Sequence, residues 1–265
     1  VFFGGWLASS IDWRYAFAVV GVAGLALAPL VYFGIKDPGR GRPDRAAGAA
    51  AFPAPPFSTA MKAVAAKPSF WLLAFGAASG SIVGYGFAFW IPQLLKRSFG
   101  LELIDISWFY GSIVLVGGSI GVWLGGWFGD KLGSVRPSGY PIIPAICFLI
   151  ITPTYAAGFF APSLPVAWIL FVIGTALSLA WLGPVVTAVQ QIVAPSMRAT
   201  SSAAFLFINN LLGMGFGIYF LGFLSDAMTL RYADDALQYS MFYALGFYLL
   251  SAALYAFAAW RIEGR

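Results

Sequence analysis

ISWFYGSIVLVGGSIGVWLGGWFGDKLGSVR, residues 106–136, carries no charged side chain from 106 to 129 and then sets down Asp130, Lys131 and Arg136. A charge at the centre of a bilayer costs at least ~2.5 kcal/mol. An α-helix needs about 20 apolar residues to cross a hydrocarbon core roughly 30 Å thick. The stretch therefore reads as one membrane crossing that surfaces at Asp130. The same pattern holds outward along the chain. Blocks 15–35, 68–95, 137–197, 199–225 and 236–260 also lack Asp, Glu, Lys and Arg. Block 137–197 is long enough for two crossings, divided near Ala161-Pro162-Ser163-Leu164-Pro165. The reading is an all-α polytopic membrane protein with seven complete spans: 14–35, 69–92, 107–129, 138–160, 165–192, 200–225 and 239–260.

Composition agrees. Charged residues make up 9% of the chain, where a soluble chain carries about 25%, and the mean hydropathy is +0.84. The net charge of +5 does not point to nucleic acid, because the basic residues sit at span ends rather than on one face. There is no His, and the single Cys147 lies inside a span. A Ser-His-Asp triad and an internal disulfide are thereby excluded. No metal site or cofactor is expected, and the chain does not read as an enzyme.

Lys and Arg set the orientation. With the 36–67 connection in the cytoplasm, that side holds Lys36, Arg40, Arg42, Arg45, Lys62, Lys67, Lys131, Arg136, Arg198, Arg261 and Arg265. The other side holds Arg14, Lys96, Arg97 and Arg231. Segment 36–67 is rich in Pro, Gly and Ala, as expected of a linker. Within it a short helix over 59–66, capped by Ser58, would turn Met61 and Val64 to lipid and Lys62 to water; a plain loop fits the composition equally well. The first ten residues read as the second half of a helix, so the chain is expected to be a fragment or a truncated product.

Glycine recurs every fourth residue at Gly117, Gly121, Gly125 and Gly129, at Gly76, Gly80 and Gly84, and at Gly213 and Gly217. That spacing lines one helix face, where absent side chains let a neighbouring helix come close. Such seams suit helices that rock against each other, or static packing. Prolines 29, 144, 153 and 184 each remove a backbone donor inside a span. Gly183-Pro184 is the best candidate for a functional kink.

Gly126, Asp130, Lys131, Gly133 and Arg136 follow the pattern of the loop that joins the second and third helices of each half in the major facilitator superfamily, which this chain resembles. Val135 departs from it, where a second basic residue is usual. Further matches are Asp12-Trp13-Arg14-Tyr15-Ala16-Phe17 with Gly21, Lys36-Asp37-Pro38, Pro195-Ser196-Met197-Arg198-Ala199 with Asn210-Leu211-Leu212-Gly213, and Gly222-Phe223-Leu224-Ser225-Asp226. The wording is most similar to the bacterial spinster-like group, on Pro68-Ser69-Phe70-Trp71-Leu72-Leu73 with Gly84-Tyr85-Gly86, and on Arg198 to Asp226.

The resemblance implies a layout. Residues 1–35 would be the end of helix five and helix six of an N-terminal bundle, 36–67 a cytoplasmic linker, and 68–265 the C-terminal six-helix bundle. It implies a gating latch at Gly126, Asp130, Lys131, Gly133, Arg136 and Arg198. There a carboxylate at a helix end attracts a neighbouring helix N-terminus and guanidinium groups; its counterpart would be the start of the fifth helix, outside this chain. Alternatively, the charges simply mark the membrane boundary.

Transporters of this type bind solute near the midplane between two halves. The family's arrangement implies that 69–92 and 165–192 line the cavity, flanked by 107–129 and 200–225. Polar groups at depth there are Asn209 and Asn210, then Ser81, Tyr85, Trp181, Thr187, Gln190 and Gln191. A buried amide without a partner costs about 1–3 kcal/mol, so one of the asparagines should bond another helix or a ligand.

The expected function is that of a secondary active transporter fragment moving a small organic, amphipathic or lipid-like solute by alternating access. Proton coupling is implied by the resemblance only, since the spans hold no acid or base. The expected partners are the lipid bilayer, the solute and the N-terminal half, in a bacterial inner membrane with the linker and C-terminus cytoplasmic. The alternatives are a non-transporting membrane sensor or structural subunit, and an enzyme acting on lipid, for which only Asp130 and Asp226 would qualify.

Overall fold

A computed structural model of the chain describes residues 13–35 and 55–263, which are helical with no strand among them. The expected half-helix at 1–10 and the linker up to residue 54 lie outside the described residues. Helix α1 (Trp13–Gly34) carries no charge beyond Arg14, and its described side chains are exposed. The short α2 (Phe57–Ala65) precedes α3 (Pro68–Phe99), α4 (Leu103–Gly133) and α5 (Gly139–Phe159). Then come α6 (Leu164–Leu179), α7 (Leu182–Gln191), α8 (Arg198–Tyr232), α9 (Ala236–Ala244) and α10 (Gly246–Glu263).

Six stretches among the described residues are long and apolar enough to cross a membrane. The last, Pro195–Glu263, is 69 residues long and turns at Ala233–Asp235, so it holds two crossings. Ala233 makes that turn with a φ of 47°, a left-handed conformation a non-glycine residue adopts only under constraint.

Several helices outrun their expected spans. α3 continues past Lys96 and Arg97 to Phe99, and α8 past Asp226 to Tyr232. Charges end the contact with hydrocarbon without ending the hydrogen-bonded helix. α3 stops where Gly100 takes φ 64° and its N–H bonds the Lys96 carbonyl, while Lys96 and Arg97 offset the negative end of the helix dipole.

α3 is the central post, packed against α8 on one side and α10 on the other. Trp90 donates from Nε1 to the Ile218 carbonyl of α8 (3.0 Å), and Ser251 of α10 donates to the Gly76 carbonyl (2.7 Å). α4 packs along α6, with Trp168 donating to Ser112 Oγ at 2.7 Å. Between α5 and α10, Phe148 stacks on Tyr248 (5.1 Å) and Tyr255 (5.9 Å). Phe87 of α3 meets Tyr155, Phe159 and Tyr248 edge-on.

The glycine seams differ from one another. Built Cβ atoms at Gly117, Gly121 and Gly125 would fall 2.7 Å from Val172 O, 2.8 Å from Ala176 Cα and 2.7 Å from Ala180 Cα, and one at Gly129 would touch the Pro184 ring. This is backbone against backbone, one α4 glycine per turn of α6 and α7. Gly217 lies as close to Ile82, and Gly213 to Ser81. The Gly76 and Gly80 notches instead receive the rings of Tyr255 and Phe148. Gly84 corrects the sequence reading: a Cβ there would meet no other helix within 4 Å, so among the described residues it packs against none.

The crossing expected at 165–192 is broken between Leu179 and Leu182. Pro184 has no N–H to offer the Ala180 carbonyl, so the ladder lapses one turn earlier, at the Gly183-Pro184 site singled out from sequence. α5 runs unbroken through Pro144 and Pro153.

Helix α2 spans 57–65 where 59–66 was expected. Its N-cap is Pro56 and no side chain caps it, so Ser58 does not take that role. Lys62 is exposed, but Val64 is fully buried rather than turned to lipid. The cause is packing on α3 and α8, fastened by Trp71 Nε1 donating to the Ala65 carbonyl at 2.9 Å.

Candidate functional site

A cavity of about 310 Å³ opens where α3, α4, α5, α6, the α6–α7 break and α8 converge. Each wall has a local cause. Gly84 leaves space on α3. The break before Pro184 turns Trp181 and Leu182 into the cavity. On α8 the close approach at Gly213 and Gly217 brings Asn209 and Asn210 against α3.

Ser81 donates from Oγ to Asn209 Oδ1 at 2.7 Å. One turn on, Tyr85 donates from Oη to Asn210 Oδ1 at 2.9 Å, and Asn210 Nδ2 donates to its own helix at the Leu206 carbonyl. Both asparagines thus pair with the α3 residues singled out beside them in the sequence. Interhelical bonds of this kind contribute about 0.6 kcal/mol on average inside membranes. Asn209 is buried at 3% exposure, whereas Asn210 and Tyr85 are exposed beside the cavity. Polar groups exposed within a span are costly against lipid. This face therefore suits water or protein.

Ser81, Tyr85, Trp181, Asn209 and Asn210 line the cavity, but Thr187, Gln190 and Gln191 do not. Thr187 donates back to the Gly183 carbonyl, Gln190 donates to Ser202 Oγ at 3.1 Å, and Gln191 is exposed. The cause is the α6–α7 break, which redirects everything C-terminal to Pro184. Sequence reasoning also passed over Tyr110, Tyr155, Thr175 and Ser178, all of which line the cavity. The Thr175 and Ser178 hydroxyls could each be satisfied within their own helix and the two tyrosines could be aromatic packing, so only the fold brings them together.

At the opposite end of α4, the expected latch residues are dispersed. Asp130 is exposed and makes no ion pair among the described residues. Lys131 sits over the Trp127 ring at 4.8 Å. Gly133 accommodates the Tyr140 ring, Gly126 is open, and Arg198 is exposed. Arg136 pairs with Glu263 at 3.5 Å, a partner the sequence did not suggest. Exposed pairs contribute about 0–1 kcal/mol, but this one places the α4–α5 loop and the end of α10 at one end of the bundle. Gln238 Nε2, donating to the Phe159 carbonyl at 2.8 Å, places the start of α9 at the other.

Comparison with known proteins gives a consistent result. The family model described as Major Facilitator Superfamily matches residues 1–218. An MFS-type efflux pump of Mycolicibacterium smegmatis is 30% identical over 233 residues, covering 85% of this chain and 51% of the pump. Protein spinster homolog 3 of Danio rerio is 30% identical, covering 82% of this chain and 46% of that protein. The chain thus spans about half the length of these curated relatives. Among solved structures, a bacterial homolog of the human lysosomal transporter Spinster, inward-facing and unoccupied, matches with a TM-score of 0.74 at 27% identity. That match covers 98% of this chain and 63% of the other.

Proposed function

This chain belongs to the Major Facilitator Superfamily and is similar to its spinster-like group, and from that footing we propose that it forms the second half of a secondary active transporter. In this reading residues 1–35 belong to the first bundle, 36–67 link the bundles in the cytoplasm, and 68–265 form the second bundle, in a bacterial inner membrane. The solute is a small organic or amphipathic molecule carried by alternating access. Proton coupling belongs to the proposal, with its ionisable group assigned to the first half.

One observation carries the reading. Tyr85 and Asn210 stand exposed at the rim of a cavity that is otherwise deep in apolar helices. Lipid is the wrong neighbour for that rim, and a second bundle closing over it gives a midplane cavity between two halves. The glycine seam of α4 on α6 and α7 supports motion, since helices without interlocking side chains can shift along one another.

The test is a single cysteine at the cavity wall, Leu206→Cys in a Cys147→Ala background, in the assembled two-half transporter. Leu206 lines the cavity and is 39% exposed. The expected result is labelling by a membrane-impermeant maleimide from either face of the membrane in oriented vesicles. Labelling from one face alone would sink alternating access and leave a static membrane subunit.

A further inference from the structure

Opposite the Asn209–Asn210 wall, the cavity presents a cluster of hydroxyls. Tyr155 and Thr175 share a hydrogen bond at 3.3 Å, and Ser178 donates to the Thr175 carbonyl at 2.8 Å. Tyr110 lines the same wall and is only 8% exposed, yet its hydroxyl has no hydrogen bond among the described residues. Behind them the Tyr248 ring stacks on that of Tyr155 at 6.3 Å, and the Tyr248 hydroxyl is fully buried with no partner among the described residues. Tyr110 and Tyr155 line the same cavity and the Tyr248 ring stacks behind Tyr155, so the three rings gather at one region. Three helices contribute to that meeting, and a fourth, α6, supplies Thr175 and Ser178.

Two facts define what such a wall accepts. First, a hydroxyl both donates and accepts, whereas a carboxylate only accepts and an ammonium only donates. A cluster made of hydroxyls alone therefore matches a group with the same double capacity. Second, no residue lining the cavity is charged. An ionised group brought there would lose its hydration with no counter-charge in reach. The remaining walls, Phe87, Ile91, Val114 and Leu179 among them, are apolar.

We propose that this wall is a binding subsite for an uncharged, hydroxyl- or amide-bearing portion of the solute attached to an apolar body, with Tyr110 and Tyr155 as the contacting phenols. The proposal rests on the reading of the cavity as a solute site and narrows it. Any charged portion of the solute is held outside this half.

The test uses the chain in lipid nanodiscs and three probes of equal chain length: 1-O-hexylglycerol, hexyl sulfate and hexylammonium. Binding is followed by microscale thermophoresis. The expected result is saturable binding of hexylglycerol at least tenfold tighter than of either charged probe, weakened at least tenfold in Tyr110→Phe, Tyr155→Phe. Tyr255→Phe removes a buried hydroxyl that has no partner among the described residues and does not line the cavity, and its binding should match the parent. Far-UV circular dichroism establishes that each variant is folded. A charged probe that binds as tightly, no saturable binding of hexylglycerol, or a Phe double variant with unchanged affinity overturns the subsite. These outcomes are separate from transport: a chain that binds hexylglycerol this way but labels at position 206 from one face keeps the subsite and loses alternating access.

Discussion

Gly121→Ala combined with Gly125→Ala is expected to lower the stability of the bundle by about 2–6 kcal/mol, from the ~1–3 kcal/mol that overpacking costs at each site. The added methyls would fall 2.8 Å from Ala176 Cα and 2.7 Å from Ala180 Cα, and backbone cannot rotate out of the way as a side-chain tip can. α4 and α6 must separate, and Gly117 and Gly129 would lose their contacts too. Because the first substitution opens the seam, the second costs less than it would alone, so the result lies toward the lower end of that range. Gly118→Ala is the matched comparison. Its Cβ meets only Leu179 Cδ1 at an ordinary 3.5 Å, and alanine gains about 1 kcal/mol over glycine in a helix. Gly118→Ala should therefore leave stability unchanged or raise it. Denaturant unfolding in mixed micelles measures both; equal destabilisation by the two sets would mean the seam is not where α4 and α6 touch.

Phe87→Ala is expected to be the most damaging single truncation, at about 3 kcal/mol, the low end of the cost for buried Phe in soluble cores. The low end applies because the helices stay in lipid when the bundle comes apart, so no transfer to water is involved. What remains is the void left when a ring in contact with Tyr155, Phe159 and Tyr248 is removed, and the dispersion lost around it. Phe207→Ala, at a ring 67% exposed, should change stability by less than about 0.5 kcal/mol. If Phe207→Ala matched Phe87→Ala, the aromatic junction of α3, α5 and α10 would not be the centre of the fold.

The membrane architecture was legible in the sequence because it rests on a single strong term, the cost of charge in hydrocarbon. Uncharged blocks therefore coincide with the stretches among the described residues that are helical, long and apolar enough to cross a membrane, and the Gly183-Pro184 break followed from one absent N–H. Helix ends were less legible. Lys96, Arg97 and Asp226 mark the limit of lipid, not the limit of backbone hydrogen bonding. The glycine rows gave the right faces but could not say what would fill them: carbonyl backbone against Gly121, a Phe148 ring against Gly80, open space at Gly84.

In the cavity, Ser81, Tyr85, Trp181, Asn209 and Asn210 could be found as polar or amphipathic groups at depth. Thr187, Gln190 and Gln191 were equally good candidates by that criterion until the break swung their helix aside. Tyr110, Tyr155, Thr175 and Ser178 carried no sequence signal, because their role depends on three helices meeting. The latch loop shows the same limit. Its spacing identified a family, while the pairing of Arg136 with Glu263, 127 positions along the chain, is a fact of the fold alone.

We propose that the Lys- and Arg-rich ends of the spans lie on the inner side of the bilayer. Single cysteines at positions 134 and 234, in a Cys147→Ala background, test it directly, since Ser134 follows α4, Asp234 follows α8 and both are exposed. An impermeant maleimide applied to intact cells should label position 234 at once and position 134 only after permeabilisation. Equal labelling of both in intact cells, or of neither, would contradict the account.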